Sequence, residues 1–412
     1  MFGARLSSAV LLLLTSLTPI LAATASTPCN NSPSLCSRAY NNVTYLGAHD
    51  SPFLRPSLAG DQYYNSTAQL SAGVRLLTAQ IYTTNATAGL QLCHTECDLL
   101  DAGRLSTWLA GIKTWLDANP NDVVTILLVN GNGASTASIA AEYADANIRG
   151  YTYTPDFSLT TPGMTQTWPT LQSMISMNTR LVTFVASLVD DYTAAPYLMN
   201  EFDHVFENNY NYTAPNTFSC QPQRPSSVAN NYPAAQSAGL MPLMNHFVYT
   251  SLLPGVDVPD EADIYQTNAP SGSANCTGSG CLGTTAQQCA GQYGRAPSFV
   301  LVDFFNVGPA IQTVDVLNGV TDPVGRTSLS TVAAVPAGGN GSSSSSASVS
   351  GSATMASGTA TGTATSTRAS GTAAASAAAT SHAAATRPAA ALSDHASVFA
   401  AVVAVFAGVL FG

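Results

Sequence analysis

The sequence predicts an irregular TIM-type (β/α)8 barrel over residues 25–330, and three observations point to it. Eight apolar, β-prone runs recur between residues 43 and 304. Helical patterns fall between several of them, so near-continuous apolar strands alternate with helices as in a buried parallel sheet. The span holds roughly 300 residues without an internal repeat or a Ser/Gly linker, ample for one large core.

The runs lie at 43–48, 74–82, 90–93, 123–129, 181–185, 204–206, 243–249 and 299–304, the sixth being weak. The clearest helix covers 104–118. Leu105, Trp108, Leu109, Ile112, Trp115 and Leu116 recur there at spacings of three and four and make one apolar stripe. Asn119-Pro120 ends it. Further helices are expected at 136–147, 169–178, 284–292 and 307–318. Only Thr83 to Gly89 separate the second and third runs. That is too short for a crossover helix, so the barrel is expected to be irregular there.

The two ends of the chain carry other signals. Arg5, the apolar run 9–14 and the small residues up to Ala23 describe a signal peptide over 1–23. Residues 337–390 are almost wholly Ser, Thr, Ala and Gly and read as an O-glycosylated stalk. Arg387, Asp394 and His395 then precede a short apolar tail ending at Gly412. This pattern predicts a GPI-attachment signal over 394–412, with the attachment residue open within 371–393 and a transmembrane helix as the competing reading.

Composition fits a secreted chain. Eight cysteines imply disulfides, of which only the local pairs Cys29–Cys36 and Cys93–Cys97 are expected by proximity. Sequons stand at Asn30, Asn42, Asn65, Asn85, Asn211, Asn275 and Asn340, and those that are used belong in surface loops. The net charge is −10 and Lys113 is the one lysine, which argues against nucleic acid as a partner. A monomer is expected.

In barrels of this type the chemistry sits at the carboxyl ends of strands. Those ends carry His49-Asp50-Ser51 on the first run, Thr78, Gln80 and Tyr82 on the second, and His94 on the third. The seventh carries Asn245 and His246, and the eighth Asp303 and Asn306. Of six histidines in the chain, His382 and His395 lie in the C-terminal segment; of the remaining four, only His204 is not at a strand end. Two imidazoles facing each other across a barrel mouth make a base and acid pair near pH 7.

At this point the residues resemble a family. Gly47-Ala48-His49-Asp50-Ser51 is similar to the first motif of phosphatidylinositol-specific phospholipase C X domains. Gly73 to Gln80 resembles their second strand, Leu92-Cys93-His94 their third, and Trp115 to Val124 the helix and strand that follow. Phe299 to Phe305 resembles a late barrel strand. The likeness covers residues 40–320 and is closest to fungal secreted PLC-like phosphodiesterases.

The resemblance implies roles. His49 would deprotonate a hydroxyl next to the phosphate, that oxygen would attack phosphorus, and His94 would protonate the leaving oxygen. Asp50 would orient or polarise this machinery, and Asp303 would hold an imidazole in the required tautomer. The sequence also departs from the family. Where members carry a charged pair on the second strand, it has Thr78 and Gln80, whose side chains alternation still turns inward. Arg75 faces the other way and is expected to be structural. Without those charges a hard cation lacks its oxygen anions, so no metal and no cofactor are expected. The phosphate would meet a weaker set of donors, including backbone amides near Gly131-Asn132-Gly133.

Thr78, Gln80, Asn245 and His246 are the expected substrate contacts, and a phospholipid or other phosphodiester the expected substrate. A weak or inactive barrel that binds headgroups or wall polymers is the main rival. A glycoside hydrolase needs two facing carboxylates, and the strand ends offer only Asp50 and Asp303, with Glu201 and Glu207 as outsiders. An esterase lacks its Gly-x-Ser-x-Gly elbow.

Overall fold

The computed structural model describes residues 27–84, 89–155, 167–188, 194–253, 256–276, 278 and 280–331. The expected signal peptide, stalk and anchor signal lie outside the described residues, as do Asn85 and Asn340.

The strands are β1 (Tyr45–Ala48), β2 (Leu76–Thr83), β3 (Leu90–Cys93), β4 (Asp101–Arg104), β5 (Val124–Asn130) and β6 (Leu181–Ala186). They continue with β7 (Leu198–Asn200), β8 (Val205–Glu207), β9 (Met241–Asn245), β10 (Tyr249–Leu253), β11 (Val256–Pro259) and β12 (Phe299–Val302). The helices are α1 (Ser66–Ser71), α2 (Leu105–Ala118), α3 (Thr136–Asp145), α4 (Leu171–Ser176), α5 (Tyr232–Ser237), α6 (Ile264–Thr267), α7 (Leu282–Tyr293) and α8 (Ala310–Asn318).

Eight strands pair in parallel in the order β7-β6-β5-β2-β1-β12-β9-β8 and curl into an α/β barrel. The two edge strands follow each other in sequence through the 3-10 turn Glu201–Asp203, and among the described residues no ladder joins them. The barrel is therefore open along that seam.

The count of eight matches the expectation, but the membership differs. The third run is not a barrel strand. β3 returns antiparallel to β2, with Ile81 opposite Leu92, and β4 pairs antiparallel to β3. The short link after β2 allows only this return. The vacant place is taken by β7, a three-residue strand too brief to show a period. The seventh run also divides, into β9 and the start of the β10–β11 hairpin.

Alternation along the strands builds two layers. Tyr45, Leu76, Leu127, Val182, Phe184, Leu243, Phe299 and Leu301 fill the barrel interior. Their neighbours Leu46, Leu77, Leu128, Val185, Met244 and Val300 pack outward against helices, including Leu109, Ile112 and Leu116 of α2 and Ala286 of α7. Each such side chain contributes on the order of 1.5–3 kcal/mol by burial. The α2 stripe forms as its spacing predicts. Trp108 and Trp115 on it donate from Nε1 to Ser66 Oγ and Ser71 Oγ of α1.

Arg75 is structural, as its facing predicted. It is buried, donates to Asp122 Oδ1 at 2.7 Å and to the carbonyls of Leu70 and Val74, and lies over the Trp115 ring at 5.2 Å. All eight cysteines are paired: the two local bridges form as expected, together with Cys220–Cys289 and Cys276–Cys281.

Two outcomes follow from this packing. Arg75→Met strips the partner from buried Asp122 and should lower unfolding free energy by about 3–5 kcal/mol, read as a lower urea midpoint; an unchanged midpoint would contradict the assignment. Among the described sequons Asn42, Asn65, Asn211 and Asn275 are exposed. Asn30 is buried, and its Oδ1 accepts from the Val123 amide at 2.7 Å. Glycopeptide mass spectrometry of folded, secreted protein should therefore find no glycan at Asn30; a glycan there would show that this corner is not closed.

Candidate active site

The site begins at the end of β1. This strand lies between β12 and β2, and a Cβ at Gly47 would stand 2.8 Å from side-chain atoms of Leu301 and Leu76. A larger residue there would require those two leucine side chains to shift. His49 follows directly, its amide bonded to the Val302 carbonyl. Asp50 then turns the chain with φ +45, a conformation few non-glycine residues adopt. Thr78 holds the turn: its Oγ1 accepts from the Asp50 amide at 2.8 Å, and its carbonyl accepts from the Ser51 amide.

His49 Nδ1–H donates to Asp303 Oδ1 at 2.8 Å, and its ring stacks on Phe247 at 3.9 Å with planes 7° apart. Asp303 stands at the end of β12, beside β1, and is followed by another strained residue, Phe304, with φ +41. Gln62 ties these two strand ends together, donating from Nε2 to the carbonyls of His49 and Val302.

The antiparallel excursion of β3 brings His94 to the same place. The Cys93–Cys97 bridge closes its loop, the His94 amide bonds the Leu100 carbonyl, and Phe53 meets its ring edge-on. His94 Nε2 lies 3.4 Å from Asp50 Oδ2, and His49 Nε2 lies 3.7 Å from the same oxygen. Gln80 links the two loops: its Nε2 donates to Asp50 Oδ2 at 2.7 Å and its Oε1 accepts from the Thr95 amide at 2.9 Å.

The structure thus brings His49, His94, Asp50, Asp303, Thr78 and Gln80 together. It adds one residue that sequence reasoning missed. Asp61 is fully buried, with its carboxylate 3.3 Å from His94 Nε2 and 3.6 Å from His49 Nδ1. Neither of its oxygens receives a hydrogen bond. Its own carbonyl accepts from the Phe304 amide, so loop and strand end fix each other. A loop residue has no period to betray it. The one local signal was an acidic residue after Gly60, a position where a Cβ would strike the Leu54 backbone at 2.3 Å.

Two expected contacts are engaged elsewhere. Asn245 Nδ2 bonds the Asn208 carbonyl and reaches Glu207 Oε2 at 3.4 Å, and Glu207 is ion-paired with Arg224. His246 is completely buried, donates to the Thr267 carbonyl at 3.0 Å and stacks on Phe218. Asn132 pairs both ways with the Thr83 backbone, which closes the 131–133 loop on β2.

Burial and charge pull the titrating groups apart. Burial pulls His49 down, but the carboxylates of Asp50 and Asp303 outweigh it and hold its pKa above the usual histidine value. Burial dominates at His94 and lowers it, with Asp50 opposing. Asp61 is pushed well above the carboxylate range by burial and then by Asp303 and Asp50. Asp303 is raised by burial, against the pull of His49.

A histidine–carboxylate cluster at the carboxyl ends of parallel strands defines the class: an α/β barrel with ionisable groups gathered at its mouth. The family model PI-PLC X 1 matches residues 35–318. A protein of the fungus Arthroderma benhamiae called PI-PLC X domain-containing protein 1 is 34% identical over 293 residues, 71% of this chain and 90% of its own. A second protein of that fungus, an uncharacterized secreted protein, is 33% identical over 307 residues, 71% of this chain and 64% of its own. The solved phosphatidylinositol-specific phospholipase C of Listeria monocytogenes aligns with TM-score 0.43 at 18% identity, covering 69% of this chain and 95% of that one. The chain belongs to the PI-PLC X family.

His246 generates a stability test. Burial pushes its pKa down to about 3. The folded state therefore binds fewer protons than the unfolded one between about pH 3 and the ordinary value near 6.5. Its contribution is fully present above pH 6.5 and falls by up to about 1.4 kcal/mol per pH unit below it. Urea unfolding of the wild type and His246→Gln from pH 7.5 to 4.5 should give a shallower acid limb in the variant; parallel limbs would show that His246 does not carry this loss.

Proposed function

We propose that this protein is a secreted, monomeric phosphodiesterase of the phospholipase C kind, held at the outer membrane face or in the wall by a GPI anchor. The observation that carries the catalytic reading is the pair of imidazoles whose Nε2 atoms both approach Asp50 Oδ2, with Asp303 on the far nitrogen of His49. The end signals of the sequence, the four disulfides and the relative called a secreted protein support the compartment.

In this reading Asp303 accepts a hydrogen bond from His49 Nδ1–H, which keeps the proton on Nδ1 and leaves Nε2 free as the base. Nε2 takes the proton of a substrate hydroxyl, its oxygen attacks phosphorus, the bond to the leaving oxygen breaks, and His94 returns a proton to that oxygen. The raised His49 is the stronger base and the lowered His94 the stronger acid, which favours both transfers. The same shifts make the reactive form, with His49 neutral and His94 charged, a minority of the free enzyme. Of the expected substrate contacts, Gln80 and Thr78 act through Asp50, Asn245 is held by Asn208 and Glu207, and His246 acts through the loop behind it. The substrate is a phospholipid or other phosphodiester, and nucleic acid is not a partner. The step needs no metal in this reading.

A barrel that only binds headgroups or wall components is the second reading. Gln80 stands where members of the family carry charge, and its amide is spent on Asp50. Losing such a donor costs about 10²–10³ in rate.

The test offers phosphatidylinositol, lysophospholipids and glycerophosphodiesters to the purified protein, with and without chelator. Cleavage should persist in chelator and fall by ~10³ or more in His49→Ala and His94→Ala, with Asp303→Asn close behind. Turnover retained in both histidine variants would remove the site. No cleavage of any substrate, with headgroup binding intact, would establish the second reading.

A further inference from the structure

Three acidic side chains crowd the two imidazoles, and the donors that reach them differ. Asp50 Oδ2 accepts from Gln80 Nε2 at 2.7 Å, and Asp303 Oδ1 accepts from His49 Nδ1–H at 2.8 Å. Asp61 is fully buried, and neither of its oxygens receives a hydrogen bond. A buried carboxylate without donors is strongly disfavoured, and such a group sheds its charge by taking up a proton.

The surroundings of Asp61 favour the same outcome. His49 and Asp50 face it from the end of β1, Asp303 from the end of β12, His94 from the β3 loop and Tyr249 from the β10–β11 hairpin. Arg55, the cation of its own loop whose field reaches it, is ion-paired with Glu261 at 2.7 Å. Two neighbouring carboxylates and a cation already engaged leave the neutral acid as the stable form.

A proton on Asp61 faces one free acceptor. Asp61 Oδ2 lies 3.3 Å from His94 Nε2. His49 Nδ1, 3.6 Å from the other oxygen, already donates to Asp303. His94 Nδ1 is buried with no hydrogen-bond partner among the described residues, so this imidazole exchanges protons through Nε2. Contacts of this length are common in unliganded acid–base sites and tighten when substrate binds.

We propose that Asp61 is a positioning residue for His94: as a carboxylic acid it stores the proton that its O–H passes to His94 Nε2 and that His94 then delivers to the leaving oxygen. The Asp61 O–H bond breaks as the Nε2–H bond forms, which leaves a carboxylate beside an imidazolium. Nε2–H then protonates the leaving oxygen. The proton that His49 takes from the substrate hydroxyl keeps the number of protons on the site unchanged. The store thus supplies the charged His94 that burial makes scarce in the free enzyme. The stored proton itself does not depend on phosphodiester cleavage; its use in turnover rests on that reading.

Full-length protein labelled with carbon-13 in its aspartate carboxyls is compared with unlabelled protein by infrared spectroscopy, which separates aspartic acid from the buried Glu201. At neutral pH the wild type should show the carbonyl stretch of a protonated aspartic acid. Asp61→Asn should lose one carboxyl of that band, and Asp303→Asn should keep it. Circular dichroism checks folding, and survival of the band in Asp303→Asn decides the matter if Asp61→Asn does not fold. On a phosphodiester that the wild type cleaves, Asp61→Asn should lower kcat by about 10²-fold with little change in KM. The alkaline limb of its kcat should move to lower pH, because His94 then loses its proton at its own lowered value. A packing role alone would leave that limb in place.

No protonated aspartic acid in the wild type, or an undiminished band in folded Asp61→Asn, overturns the proposal. A lost band with an unmoved alkaline limb overturns the transfer to His94. A wild type that cleaves no phosphodiester overturns the proposed function, and the infrared band then still decides whether Asp61 holds the proton.

Discussion

The bond from His49 Nδ1 to Asp303 Oδ1 crosses between the ends of two neighbouring parallel strands, and the rest of the site is arranged around it. Both residues immediately precede a residue with positive φ, Asp50 and Phe304. Such conformations cost of order 1–3 kcal/mol each and persist only where their surroundings over-determine them. Here the surroundings are explicit. Thr78 holds the Asp50 turn, Gln62 bridges the two strand carbonyls, and the Asp61 carbonyl holds the Phe304 amide. Removing the His49–Asp303 contact would leave the buried Asp303 carboxylate without its imidazole partner.

The irregularity of the barrel serves the same centre. A regular βαβ step after β2 would carry the chain to the other end of the sheet. The antiparallel return of β3 instead keeps it at the carboxyl end, where the Cys93–Cys97 loop presents His94 to Asp50. Gln80 then ties that loop to the β1 turn by two hydrogen bonds. The Gln80 side chain is thus a brace between the two histidine loops.

Much of this was legible in the sequence because it is periodic or local. The α2 stripe from Leu105 to Leu116, the inward facing of Thr78 and Gln80, the outward facing of Arg75 and the short Cys93–Cys97 loop follow from repeat or proximity. What was not legible depends on distance along the chain. β7 is three residues long, and only its pairing with β6 makes it a strand. The third run carries a strand signal that does not say whether its partner is parallel. Asp61 lies in a loop, and its meaning comes from two histidines and a strand end brought to it by the fold. His246 had the right position at a strand end, yet its ring turned into the apolar side against Phe218.

Asp61 also changes how the missing charge on the second strand is understood. With Thr78 and Gln80 neutral, the site looks deficient in cations; with Asp61 present, it is also rich in anions. Three carboxylates in a buried space cannot all stay ionised without positive charge nearby, since like charges a few ångströms apart repel strongly at low dielectric. Protons supply that charge, which is the direction in which Asp61, Asp303 and His49 are all displaced. Because Asp61 lies within 3.3 Å of His94 Nε2 and 3.6 Å of His49 Nδ1, it ties the protonation of both imidazoles to that of the carboxylates around them.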